Sequence, residues 1–181
     1  MRRVLFLVIL IASAATVASG QPDSRTTVYK GPVRIAAPCR GADLSVRYVS
    51  EDTAMGGENL ILYAFKNITS NSCTLRGYPL YELLSKAGKL RPRGRAINSR
   101  QLPGDEAMMP ARVVTIAPVE EASFRVHYNS GGAGYVGKPC PVSRRVRIVA
   151  PGTTRAFILK EDISSCSNVE ISAVRSGPVP E

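Results

Sequence analysis

The chain has a single histidine, His127, and this is the natural place to look for a general base. It alternates with Phe124, Val126 and Tyr128, so it falls on the polar face of a strand, exposed and without an identifiable partner. No Gly-x-Ser-x-Gly elbow occurs to present a nucleophilic serine. Paired carboxylates stand at Glu51-Asp52, Asp105-Glu106, Glu120-Glu121 and Glu161-Asp162, all in predicted turns or strand ends. A glycosidase needs two carboxylates held across a cleft at a set separation, which sequence neighbours in turns do not supply. All four pairs read as surface groups.

Four cysteines, Cys39, Cys73, Cys140 and Cys166, make an even set. In an exported chain such a set reads as two disulfides, leaving no free thiol for catalysis. Three pairings are open; the sequential one, Cys39 with Cys73 and Cys140 with Cys166, is favoured. Zinc is the rival reading, but there is no C-x-x-C spacing and only one histidine. No metal or cofactor is expected.

The glycine-rich run Ser130 to Lys138 resembles a phosphate loop, yet it lacks the Gly-Lys-Ser/Thr ending. Pro139 also forbids the helix whose N-terminus would hold the phosphate. The sharpest candidate is Lys89-Leu90-Arg91-Pro92-Arg93-Gly94-Arg95, with Arg100 beyond it. In an extended chain Lys89, Arg91, Arg93 and Arg95 point to one side, a row of cations able to meet phosphates or carboxylates. No aromatics are interleaved for base stacking, which argues against nucleic acid.

These groups need a scaffold, and composition limits what it can be. Residues 1–20 read as a secretory signal, with Arg2 and Arg3 ahead of the apolar run Val4 to Ile11. Ala18 and Gly20 then prepare a cleavage before Gln21. No later apolar run reaches the ~18 residues a membrane helix needs, so the mature chain is expected to be soluble and exported: periplasmic, envelope-associated or extracellular. Its charge is about +8, because two of the 24 Lys and Arg precede residue 21 and 14 residues are acidic. That balance implies attraction to an anionic envelope polymer, a lipid head group or an acidic protein.

Residues 21–38 read as a linker or edge arm, in which Val33 to Ala36 could add a strand. Asp43 to Ser50 alternates as a half-buried strand, whereas Asn59 to Ile68 is apolar on both faces, as a central strand requires. Further strands are expected at 73–75, 80–84, 113–116, 122–128, 145–150, 156–159 and 169–174. Gly77 and Pro79 mark a bend, and Lys89 to Pro110 is a long excursion without a steady period. A helix over Tyr81 to Ala87 is the local alternative to a strand. Eight or nine short strands and no long amphipathic helix predict an all-β, immunoglobulin-like antiparallel sandwich over 39–176, with a frayed tail at 177–181.

The stretch Asn67 to Pro79, ending Cys73-Thr74-Leu75-Arg76-Gly77-Tyr78-Pro79, carries a family likeness. So do Phe65-Lys66-Asn67-Ile68-Thr69, Val114-Thr115-Ile116-Ala117-Pro118 and Val146-Arg147-Ile148-Val149-Ala150-Pro151-Gly152. Together with Cys39, Cys140 and Cys166 they resemble the exported bacterial family known as domain of unknown function 4232. The resemblance implies one β-sandwich with two disulfides and no assigned activity. The chain departs from the pattern at Ala117-Pro118-Val119-Glu120, where a glycine commonly follows the proline. It also lacks the lipid-modified cysteine that many relatives carry after the signal.

The expected role is a non-enzymatic binding or structural module of the cell envelope, touching an anionic partner through Lys89, Arg91, Arg93, Arg95 and Arg100. The alternative is a secreted hydrolase or a protein inhibitor of one. An enzyme would need a buried, pKa-perturbed cluster that the linear order conceals.

Overall fold

Leu60, Leu62 and Ala64 alternate with Ile61, Tyr63 and Phe65, and a strand apolar on both faces must be covered on both. Glu58–Asn67 accordingly forms the interior strand β3 of the largest sheet, antiparallel to β2 (Leu44–Ala54) and β9 (Glu121–Asn129). Beyond β9 lie β14 (Glu170–Ile171) and, parallel to it, β7 (Ile97–Asn98), while β15 (Arg175–Ser176) also pairs with β9. The computed structural model describes residues 36–177 apart from 104, 106, 107, 109 and 132–135. The expected signal, most of the arm at 21–38 and the tail after 177 lie outside the described residues.

A second sheet runs in the order β12 (Ala156–Leu159), β11 (Arg145–Val149), β5 (Leu80–Leu84) and β6 (Leu90–Arg95). A third joins β1 (Ala37–Pro38), β4 (Cys73–Arg76) and β8 (Val113–Ile116); a two-stranded ribbon pairs β10 (Val142–Ser143) with β13 (Ile163–Ser164). The protein is all-β, and the helical turn among its described residues is a single 3-10 turn at Gly41–Asp43. The segment 81–87, open to a helix by its pattern, is strand through Leu84.

The two larger sheets meet through aromatic rings. Phe124 on β9 stacks between Tyr63 and Phe65, with centroids 5.4 and 5.1 Å away. Tyr63 reaches Tyr81 on β5 at 5.7 Å and Phe65 reaches Phe157 on β12 at 6.5 Å. Val126, Val146, Ile148 and Ile171 complete a core with no exposed surface. Cys39 is bonded to Cys73 inside this core and Cys140 to Cys166 nearer the surface, so the favoured pairing holds.

The Asn67 to Pro79 stretch has a structural reason for each unusual residue. Asn67 is wholly buried; its amide nitrogen donates to the carbonyls of Asn71 and Ile116, and its amide oxygen accepts from the backbone and hydroxyl of Thr69. This fixes the turn 68–72 with the Asn67 side chain out of solvent, while Ile68 beside it stays exposed. Leu75 fills the core, and Gly77 at φ 110° makes the bend no side chain would favour, its carbonyl accepting from Val174 N–H.

The turn Ala117-Pro118-Val119-Glu120 closes with a Glu120 N–H to Ala117 carbonyl bond of 3.1 Å and holds Val119 at φ 63°. Proline then glycine is the pairing such a turn prefers, and a β-branched residue with positive φ is strained. Val119→Gly is expected to raise the unfolding free energy by about 1 kcal/mol, readable as a shift of the urea midpoint at unchanged slope. Since Val119 is 71% exposed, the substitution costs no core packing.

Candidate functional site

The segment 89–110, read as a long excursion without a steady period, contributes two strands. Pro92 and Gly94 hide the period, and β6 pairs with β5 only at Leu90 opposite Leu84 and Arg95 opposite Glu82. Four residues, Arg91 to Gly94, therefore bulge out opposite Leu83, and Arg93 takes φ 56°. The two-residue alternation is lost there, so Lys89, Arg91, Arg93 and Arg95 do not form one row. Arg91 and Arg93 line a cavity of about 260 Å³ beside β10 and the Cys140–Cys166 bond. Arg95 turns to the outer face of the four-stranded sheet, Lys89 lies exposed before β6, and Arg100 follows β7 at the edge of the other large sheet.

On that outer face Arg95 finds partners no linear reading assembled. Glu82, 1% exposed, accepts from Arg95 Nε at 2.8 Å and meets Arg147 Nη2 at 2.5 Å. Two adjoining hollows of about 320 and 460 Å³ share Arg145. Around them stand Lys86, Arg95, Arg144, Arg145, Arg147 and Lys160 against two carboxylates, Glu82 and Asp162. Six cations face two anions, and Lys86, Arg145 and Lys160 have no ion-pair partner among the described residues. The signal in the sequence was the alternation of Arg145 and Arg147 with Val146 and Ile148; only strand pairing sets them beside β6.

His127 does lie on the polar face of β9, but it is neither exposed nor alone. Its Nε2 is 2.5 Å from Glu58 Oε2, and its buried Nδ1 has no hydrogen-bond partner among the described residues. Glu58 sits below the usual carboxylate range because Asn129 donates to it, with His127 adding to the effect.

Three of the carboxylates read as surface groups are drawn inward. Asp105 lies between Arg125 and Arg175, which pins the excursion over β9 and β15. Glu121 takes two bonds from Arg47, at 2.8 and 2.7 Å, and is held low by them. Glu161 accepts from the Tyr63 hydroxyl, which is 3.1 Å from that of Tyr81. Opposite, Tyr128 donates to Glu51 at 2.6 Å. A bulge between Tyr48 and Ser50 shifts the β2 register, so that Glu51 turns to the same face as Tyr48. Burial pushes Glu161 up, the Tyr63 bond opposes this, and the Glu51 charge adds to the rise. Burial likewise carries the hydroxyls of Tyr63 and Tyr81 far above the ordinary tyrosine range.

No three of His, Cys, Asp and Glu gather to hold a metal among the described residues. No helix there is long and apolar enough to cross a membrane. A search of curated proteins found no match to the chain. The family model described as Domain of unknown function (DUF4232) matches residues 39–179, starting at the first disulfide cysteine and spanning the motif Cys73 to Pro79. The chain belongs to that family.

Proposed function

We propose that the protein is an exported, immunoglobulin-like β-sandwich that acts without catalysis. It presents the outer face of β12, β11, β5 and β6 to an anionic polymer of the cell envelope. Export draws support from the signal-like residues 1–20 and from two disulfides, which persist in oxidising compartments. The sandwich reading draws support from the aromatic contacts between the two larger sheets. The observation that carries the binding role is the excess of six cations over two carboxylates on one open face. Such a face raises the local concentration of an anionic chain and weakens with salt. Arg91 and Arg93 line a separate cavity beside β10, and Lys89 and Arg100 lie outside the hollows of this face. The hydrolase reading draws less support, since Glu51 and Glu161 are each already engaged by a tyrosine hydroxyl.

The test replaces Lys86, Arg145 and Lys160 together with glutamine. None of the three makes an ion pair among the described residues, so the fold keeps its contacts. The variant is expected to lose most of the salt-sensitive retention on the organism's own envelope fraction, about tenfold or more in affinity at low salt. Retention equal to that of the unaltered protein would refute the proposal.

A further inference from the structure

The cavity between the β6 bulge and the β10–β13 ribbon has features that its role as scaffold leaves unexplained. Its walls are Arg91 to Gly94 on one side, Pro141 and Ser143 on another, and Ser165 to Ser167 on the third. It holds about 260 Å³, ample for one tetrahedral oxyanion with part of its ester. No carboxylate among the described residues lines it. Two arginines and three serines do, and the Ser165 and Ser167 hydroxyls already donate to the carbonyls of Ser167 and Asn168, which leaves that of Ser143.

Three observations mark it as built to hold something. Ser143 is 1% exposed, and its Oγ has no hydrogen-bond partner among the described residues. A buried hydroxyl left without a partner is destabilising, so its place here asks for a reason. Arg93 is held at φ 56°, a backbone state disfavoured for arginine and common where strain serves a site. The bulge that imposes it is fixed from both sides. Arg91 donates to the Val142 carbonyl, and a Cβ on Gly94 would lie 2.7 Å from the Leu83 carbonyl oxygen and 3.0 Å from that of Arg91. The chain is thus folded back so that two guanidinium groups share one hollow with hydroxyls.

We infer that this cavity binds a phosphoryl group, held by Arg91 and Arg93 and by the hydroxyl of Ser143. Two guanidinium groups from one wall and the unpartnered Ser143 hydroxyl from another suit a tetrahedral group with three oxygens; a planar carboxylate would satisfy one guanidinium edge and leave Ser143 idle. The inference rests on the proposed anionic partner and adds to it the chemistry of the repeating unit, a phosphate ester. The basic outer face would hold the polymer loosely, and the cavity would take one of its phosphates.

The test titrates the disulfide-bonded chain calorimetrically with inorganic phosphate, glycerol phosphate and acetate, and floats it with phosphatidylglycerol vesicles. Saturable binding of one inorganic phosphate or glycerol phosphate per chain, with acetate inert, is expected. The ligand that binds tighter tells free phosphate from ester, and flotation of the vesicles would name a lipid as the source of the ester. Ser143→Ala and Arg93→Gln are each expected to weaken that binding about tenfold. Because the Ser143 hydroxyl has no partner to lose, Ser143→Ala should leave the ligand-free melting temperature unchanged or higher. A serine serving only the fold would give the reverse, a lower melting temperature with unaltered phosphate binding, and would overturn the inference. No phosphate binding, with salt-sensitive envelope retention intact, would overturn the cavity while leaving the basic face standing. Loss of both signals in the unaltered protein would sink the two together.

Discussion

Asp105→Ala is expected to lower the unfolding free energy by about 3 kcal/mol, measured by urea denaturation. The Asp105 side chain is 4% exposed and takes Arg125 on one oxygen and Arg175 on both, at 3.2 and 3.1 Å. It also accepts the Leu102 N–H at 2.8 Å, and Leu102 is itself buried. Burial already pulls the Arg125 guanidinium below its ordinary range, with the Arg175 charge adding to it, and burial does the same to Arg175. Alanine would leave these two cations facing each other with no anion between them. An exposed pair provides the contrast: Arg144 and Asp162 keep 55% and 61% of their side-chain surface, and breaking that contact should cost close to nothing. Asp105→Asn retains an acceptor for Leu102 but no charge, so it should fall between the unaltered chain and alanine. A loss under about 0.5 kcal/mol for alanine would mean that the excursion is not held by this triad.

This triad shows where linear reading succeeds and where it stops. The apolar faces of β3 and β9 were visible because a two-residue period survives any change in what the strand pairs with. The even count pointed to two disulfides and left three pairings open, of which the favoured sequential one is present. A bulge, by contrast, leaves no mark in composition. Nothing in Arg47-Tyr48-Val49-Ser50-Glu51 announces that the register slips and turns Glu51 to the face of Tyr48, where it accepts from Tyr128. Lys89 and three arginines alternating in sequence look like a row until Arg93 takes a positive φ and the arginines divide between two sites. Asp105 sits 20 residues from Arg125 and 70 from Arg175, and only the paired strands bring them together. Val119 is the intermediate case. The missing glycine was visible against the family pattern, but what valine costs there becomes visible only with its backbone angle.

Replacing both Cys39 and Cys73 with alanine is expected to cost about 3–4 kcal/mol, the constraint that a bond spanning 34 residues places on the unfolded chain. The Cys140–Cys166 bond spans 26 residues, and because the loop contribution grows only with the logarithm of length, its removal should cost nearly as much. The two variants should part in what else they lose. Cys39 and Cys73 are 4% and 6% exposed and tie β1 to β4, where Cys39 N–H also donates to the Thr74 carbonyl. Their removal opens a gap in the core and adds a packing loss, so the first variant should unfold at the lower urea concentration. Cys166 instead carries the cavity wall formed by Ser165 and Ser167 and is held by its N–H to the Asn129 carbonyl. Releasing it frees that wall from Pro141 and β10. The Cys140, Cys166 variant should therefore remain folded yet lose phosphate binding, and the Cys39, Cys73 variant should bind normally wherever it is still folded. Equal binding by the two folded variants would show that the second disulfide contributes only chain constraint, leaving the cavity to be shaped by the β6 bulge alone.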